Sequence, residues 1–179
     1  MNEKDVILLL QHYRHDLMNH LQIIHGYLSM NKTDRVESKV QESLEYYNEE
    51  RKLMHLQGTL LTLWVIQFSS YYNDFRLTYQ IHTENKKIMQ SDEQLVRICN
   101  RVISLISQMH AGMELFEVHL LLEETEIPEF LRVKLSIDGN FINKEEVIDK
   151  LNNMEVDFQM STENTKDGIV CIFTIPCEI

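Results

Sequence analysis

The chain has 179 residues, 44% of them hydrophobic, which is enough to form a packed core in one ordinary domain or two small ones. Its formal net charge of -11 opposes binding to nucleic acid or to an anionic membrane surface, because both require a basic protein surface. Neither partner is expected. The apolar runs are too short for a signal peptide or a bilayer span, and the three cysteines lack the paired spacing of a zinc ribbon. These features predict a cytoplasmic protein with reduced thiols.

An apolar stripe predicts a first long helix over residues 5–30. Its side chains recur at steps of three and four, as on one buried helix face: Val6, Leu10, Tyr13, Leu17, Leu21, Ile24 and Leu28. At about 100° per residue, His15 projects about 160° from the centre of this stripe. The residues that share its side form an exposed ridge: Leu8, Gln11, Asn19, Gln22 and Gly26. Such a ridge can seat the surface of another protein.

A second amphipathic segment follows the polar break at residues 31–33. Its stripe consists of Val36, Val40, Leu44, Tyr47 and Met54. Two helices joined by so short a connection pack as an antiparallel hairpin. A hairpin presents one seam and leaves the rest of both stripes in water, so we expect two copies to form a four-helix bundle as a homodimer.

A change of character at residues 57–59 marks the predicted boundary between a helical hairpin domain, residues 1–56, and a second domain, residues 57–179. Gly58 is placed to end a helix, and Thr59 to cap the next. Helices are predicted at 60–72, 92–110 and 144–151, and strands at 77–82, 116–122, 130–137, 156–161 and 169–175. Helices with a mainly antiparallel sheet indicate an α/β sandwich, so the fold class is α+β. The second domain carries ten Lys and Arg against nineteen Asp and Glu, a net charge of -9.

The run Arg-His-Asp-Leu-Met-Asn-His-Leu-Gln at residues 14–22 resembles the phosphoacceptor box of sensor histidine kinases, in the subgroup of the citrate and fumarate sensors. The resemblance continues through Ile23-Ile24-His25-Gly26-Tyr27-Leu28. As a whole, the chain more closely resembles the sporulation initiation phosphotransferase B family. It shares the start almost directly at the helix, the opening Asp34-Arg35-Val36 of the second helix, and a shrunken C-terminal domain.

That family implies a dimeric four-helix bundle whose histidine takes a phosphoryl group from the aspartate of one response regulator and passes it to a second one. The donor is a stand-alone sporulation receiver, and the acceptor is the receiver domain of the sporulation transcription factor. His15 matches the phosphorylated histidine. The chain would need no cofactor of its own, because Mg²⁺ is expected on the response regulator.

Supporting roles follow for the neighbours of His15. Neutral His15 attacks phosphorus through one ring nitrogen, and Arg14 is placed to screen phosphate charge. Asp16 lies about 100° further around the helix, so it reaches the imidazole only along a bent path. Asn19 is placed to donate a hydrogen bond to a docked receiver. The expected partner-binding set is Leu8, Gln11, His12, Met18, Asn19, Gln22 and Gly26.

The glycine pattern favours a phosphotransferase over a kinase. An ATP site of the kinase type needs Gly-x-Gly turns that let backbone amides approach phosphate, and the sequence has none. Ser104 stands where the kinase helix would carry its magnesium-binding asparagine. We therefore expect a degenerate kinase ATPase domain that does not use ATP. Two alternatives stay open: a sensor-type histidine kinase core, and a non-catalytic adaptor that binds a response regulator.

His15 could also have no catalytic role, because an exposed histidine is most often only a solvated surface residue. His12 and His15 are three residues apart, which is a spacing that metal sites use. Zinc would need further ligands on the same ridge, and the neighbours there are Leu8, Gln11 and Asn19. No metal is expected.

Overall fold

The computed structural model describes residues 3–109 and 115–178, and its contacts divide the chain into two compact units, residues 1–50 and 51–179. The first unit is a helical hairpin made by α1, Glu3–Ser29, and most of α2, Thr33–His55. The division falls before the predicted boundary at residue 56, because Leu53 and Leu56 at the end of α2 are buried in the core of the second unit.

The connection between α1 and α2 is tight. Asn31 has a φ of 55°, in the left-handed region where helices commonly end. The amide of Lys32 donates to the carbonyl of Tyr27 at 3.0 Å, and the amide of Met30 donates to that of Gly26 at 3.2 Å. These bonds satisfy carbonyls at the end of α1 that have no partner further along the helix. The chain therefore reverses direction within a few residues.

Within residues 51–109 and 115–178, the second unit shows the end of α2, three further helices and one five-stranded sheet. The helices are α3, Thr59–Tyr71, α4, Asp92–Gln108, and α5, Lys144–Asn152. The strands are β1, Phe75–His82, β2, Phe116–Glu124, β3, Phe130–Asp138, β4, Gln159–Asn164, and β5, Gly168–Pro176. The sheet order is β1-β2-β3-β5-β4.

Strand pairing follows from the connections. The pair β1 and β2 is parallel, and α4 lies between them in the chain, as a parallel crossover requires. All other pairs are antiparallel. One face of each central strand supplies the core, for example Val133 and Leu135 of β3, which are fully buried. The predicted α+β class is confirmed.

Two local predictions are wrong. β4 was expected at residues 156–161, but it begins at Gln159 because the turn between Thr165 and Gly168 sets its register against β5. Thr59 does not cap α3. The N-cap position is Gly58, without a side-chain bond, and the first-turn amides of Leu60 and Leu61 donate instead to the carboxylate of Asp92 at 2.7 and 2.8 Å.

The helices in the described ranges are all too short or too polar to cross a membrane. Cys99, Cys171 and Cys177 are free, and burial raises the pKa of the Cys99 and Cys171 thiols to about 12. Both side chains therefore stay protonated and pack as small apolar groups. The predicted end of α4 at His110 lies outside the described residues.

Candidate functional site

His15 stands on the outer face of α1. Its side chain is 70% exposed, whereas Tyr13 and Leu17 on either side turn toward the stripe face and are less exposed. The difference in exposure arises because Tyr13 and Leu17 belong to the apolar stripe of α1, and residue 15 falls almost opposite to it. The imidazole is therefore open to a reacting group on another molecule.

Two neighbours contact the same ring nitrogen of His15. Asp16 Oδ1 lies 3.2 Å from Nδ1, and Asn19 Nδ2 lies 3.3 Å from it. One nitrogen cannot satisfy both in a single state, because the carboxylate requires a proton on Nδ1 and the amide nitrogen requires a lone pair there. The contacts thus correspond to the two neutral tautomers. Asp16 favours the tautomer that leaves a lone pair on Nε2, and Asn19 favours the other one.

The cluster agrees with the expectation for Asp16, whose carboxylate does reach the imidazole. Asn19, expected to donate to a docked receiver, contacts His15 in this structure. Nε2 has no hydrogen-bond partner among the described residues. In the tautomer favoured by Asp16, the free lone pair is therefore the one that faces away from both neighbours.

The remaining ridge residues are placed on the surface. Arg14, Gln11, Met18 and Gln22 are exposed, as is Leu8, while Gly26 is half-buried. A Cβ added at Gly26 would meet nothing within 4 Å, so the ridge is open at this end. The side chain of His12 lies outside those described, and its place in the partner-binding set stays a prediction. In the described ranges, no group of three or more His, Cys, Asp or Glu side chains is arranged to hold a metal ion.

The seam between α1 and α2 carries polar contacts whose partners were not assigned from the sequence, although His20 was expected to be a satisfied residue of the bundle. Tyr13 donates its hydroxyl to Glu50 Oε1 at 3.1 Å. His20 Nδ1 lies 2.8 Å from Ser43 Oγ, and that hydroxyl donates to the carbonyl of Lys39, so His20 acts as the donor. The helical pattern could have indicated these contacts, because it directs Tyr13, His20 and Glu50 toward the seam.

Burial sets the protonation of the first of these pairs. Glu50 is only 5% exposed, and desolvation raises the pKa of its carboxyl group, against a smaller lowering by the bond from Tyr13. Desolvation, reinforced by the nearby Glu50 charge, raises the pKa of Tyr13 to about 12. Tyr13 is therefore a permanent hydrogen-bond donor at neutral pH.

In the second unit, Ser104 lines a surface cleft of about 840 Å³ between α4 and the end of α5. The basic side chains of this cleft are already engaged. Arg97 pairs with Asp157, Arg101 Nη1 donates to the carbonyl of Glu155 at 2.5 Å, and Lys150 pairs with Glu146 at 2.8 Å. Each of these three basic side chains therefore already has an acidic or carbonyl partner within the second unit.

Asn100, which also lines the cleft, is held from behind. Its Oδ1 accepts hydrogen bonds from Trp64 Nε1 at 2.7 Å and from the Tyr72 hydroxyl at 2.6 Å. These bonds tie α4 to α3 and to the residue that follows it. The amide of Asn100 thus has a clear structural use that requires no ligand.

Comparison with known proteins gives the class of the hairpin first. Residues 1–56 match the family described as "Sensor_kinase_SpoOB-type, alpha-helical domain". The match is confined to these residues, which contain α1 and α2.

A curated relative then extends the likeness. The chain is similar to Sporulation initiation phosphotransferase B of Bacillus subtilis (strain 168), with 33% identity over 104 residues. The match covers 58% of this chain and 54% of that protein, so the chain spans about half the length of the curated relative it matches. The two matches confirm the resemblance inferred from the sequence.

Solved histidine kinase structures are similar at low identity. The blue-light activated histidine kinase EL346 of Erythrobacter litoralis is 17% identical, over 98% of this chain and 60% of its own, with a TM-score of 0.45. The catalytic domain of histidine kinase ThkA is 17% identical, over 68% and 92%, with a TM-score of 0.43. ThkA in complex with the response regulator TrrA is 20% identical, over 97% and 63%, with a TM-score of 0.41.

Proposed function

We propose that this chain is a phosphorelay phosphotransferase. It accepts a phosphoryl group on His15 from the aspartate of one response regulator and passes it to the aspartate of a second one that controls sporulation. The observation that carries the proposal is the exposed imidazole whose Nδ1 is held by Asp16 while Nε2 is left open. The similarity of the chain to a sporulation phosphotransferase supports it.

The chemistry requires little from the chain itself. The Nε2 lone pair of His15 attacks the phosphorus of an aspartyl phosphate, the P–O bond to the donor aspartate breaks, and the carboxylate leaves. Asp16 stabilises the positive charge that develops on the ring, because its carboxylate accepts the Nδ1 proton in a hydrogen bond. In the second step the aspartate of the acceptor attacks phosphorus, the P–N bond breaks, and neutral imidazole is restored.

The partners supply the rest. Mg²⁺ is proposed on the receiver, where it neutralises charge on the transferring group, and Arg14 on the exposed ridge adds a positive charge nearby. Leu8, Met18 and Gln22 offer the receiver a mixed apolar and polar surface. A chain with this role and with free cysteines fits the cytoplasm.

A homodimer is part of the proposal, because the hairpin alone leaves its stripes in water. Leu10 is 58% exposed, Leu28 is 60% exposed, and Leu44 of α2 is 54% exposed. An exposed apolar surface of this extent normally marks an interface. A second hairpin packed on the first would cover these side chains and form a four-helix bundle.

The proposed phosphoryl source is a protein rather than ATP. The cleft beside Ser104 has its cations engaged by acidic side chains or by a carbonyl, and the sequence has no Gly-x-Gly turn. The alternative of a sensor-type kinase core is kept because the hairpin matches a sensor-kinase family. The alternative of a non-catalytic adaptor would use the same ridge for binding alone.

Two incubations test the proposal. A receiver protein carrying radiolabelled phosphate on its aspartate is mixed with the purified chain and with the variant His15→Gln. Acid-labile label on the wild type and none on the variant is the expected result, and binding without label would favour the adaptor. In the second incubation, robust labelling of His15 by ATP alone would favour the kinase core.

A further inference from the structure

The seam of the hairpin contains two polar contacts that repeat one heptad apart. Tyr13 and His20 are seven residues apart on α1, and their partners Glu50 and Ser43 are seven residues apart on α2. The pairs therefore share a single antiparallel register. The ring of Tyr47 lies between them, with its centroid 6.5 Å from that of Tyr13 and 6.1 Å from that of His20.

Apolar burial by itself selects the rotation of α1 poorly. Residues 6–10 are all apolar, so several rotations of the helix would bring large hydrophobic side chains to the seam. Ile7, Leu8 and Leu10 are each more than half exposed, so the observed arrangement is not one that buries this apolar run. An interaction other than apolar burial must distinguish the observed rotation of α1 from slightly different rotations about the same helix axis.

The connection between the helices fixes the displacement of α1 along α2 rather than its rotation. The closure at Asn31 sets how far α1 is displaced along α2, because only a few residues join them. Its influence on rotation weakens along the helix, and His15 lies more than three turns before Ser29, where α1 ends. The two polar pairs flank His15 on both sides along α1.

We propose that the Tyr13–Glu50 and His20–Ser43 hydrogen bonds set the rotation of α1 against α2 and so hold His15 on the outer ridge. The four side chains are positioning residues. A wrong rotation separates the carboxylate of Glu50, which is only 5% exposed, from its donor Tyr13, and an unpaired buried polar group costs about 1–3 kcal/mol. The half-buried contact between His20 and Ser43 is lost with it. Single polar contacts in helical seams select one arrangement in the same way, at some cost in stability. The consequence for phosphoryl transfer rests on the function proposed above, while the rotation itself does not.

The test compares a seam without polar contacts and a seam in which one contact is exchanged. The first variant combines Tyr13→Phe, His20→Leu, Ser43→Ala and Glu50→Leu in the full-length chain. The second, His20→Ser with Ser43→His, keeps a hydrogen bond between the same two positions and serves as the matched control. Helix content by circular dichroism is measured for both.

Two readouts report the position of His15. In the chain labelled with ¹⁵N-histidine, the ring signals of His15 are assigned by their loss in His15→Gln. The second readout is the KM and kcat of label transfer from a phosphorylated receiver. If only about one tenth of the molecules keep the competent rotation, KM rises about tenfold, and kcat is unchanged because the receiver selects the competent fraction.

The apolar seam is expected to keep its helix content, give more than one set of His15 signals and raise KM, while the exchanged pair behaves as the wild type. One set of His15 signals with a wild-type KM in the apolar seam would overturn the proposal. If that variant fails to fold, Tyr13→Phe and Ser43→Ala decide the question singly by the same readouts. Should wild-type His15 never accept label, the proposed function fails, and the number of signals still tests the rotation.

Discussion

The carboxylate of Asp16, the next residue of α1, lies 3.2 Å from Nδ1 of His15, and its side chain is 47% exposed. This contact selects which ring nitrogen keeps its lone pair. Asn19 contacts the same nitrogen, but its amide requires a lone pair there, whereas the carboxylate of Asp16 requires a proton. The two side chains therefore favour different tautomers of His15.

Asp16→Asn is expected to slow the phosphorylation of His15 by roughly fivefold. Exposed pairs of this kind contribute up to about 1 kcal/mol, which sets the size of the effect. Asn19→Ala should leave the rate unchanged or raise it slightly, because it removes the contact that favours the unreactive tautomer. Labelling by the small donor phosphoramidate measures both variants without any receiver docking. Equal loss in the two variants would show that the contacts do not act through the tautomer.

Gly26 provides a test of the ridge as a docking surface. Gly26→Ala should stabilise α1 by about 1 kcal/mol, since alanine is the better helix former and the added Cβ meets nothing within 4 Å. Gly26→Trp places a large side chain on the same open surface. It should raise the KM for a phosphorylated receiver while leaving the reaction with phosphoramidate unchanged. An unchanged receiver KM in the tryptophan variant would remove this end of the ridge from the interface.

The outward direction of His15 followed from the sequence because helical periodicity is local and needs only the stripe of α1. The cap of α3 did not, because Asp92 reaches Leu61 across 31 residues of chain. Tyr13 and Glu50 are 37 residues apart, and no local pattern predicts that they meet. Helical angles alone left the contact between Asp16 and His15 conditional on a bent path, because they place the Cβ atoms, whereas the side-chain torsions decide whether the polar tips touch.

Asp92 is expected to be a strong stability determinant of the second unit. Its carboxylate accepts hydrogen bonds from the amides of Leu60 and Leu61 at the start of α3, and its side chain is buried. Asp92→Ala should lower the free energy of unfolding by about 2 kcal/mol, the upper range for an N-cap residue, because the buried amide of Leu61 and the partly buried amide of Leu60 both lose their acceptor. Asp92→Asn retains one acceptor and should lose less. Urea denaturation of the two variants and the wild type gives the order, and equal midpoints would contradict it.

Glu50 predicts how the stability of the hairpin depends on pH. Burial raises the pKa of its carboxyl group in the folded state, more than the bond from Tyr13 lowers it. A raised pKa in the folded state means that the protonated carboxyl favours folding. This contribution to stability is fully present below the pKa of the unfolded chain, and it is lost as the pH rises through the higher pKa of the folded chain.

Glu50→Gln removes the charge but keeps an oxygen that accepts from Tyr13, so it should stabilise the chain at pH 7. The same variant should show no advantage at pH 4, where Glu50 is largely protonated in the folded state. Urea denaturation gives the free energy of unfolding of the wild type and of the variant at pH 4 and at pH 7. The contributions of all other carboxyl groups cancel when the variant is compared with the wild type at the same pH. A glutamine variant that is less stable than the wild type at pH 7 would mean that the charge of Glu50 is compensated in the folded state.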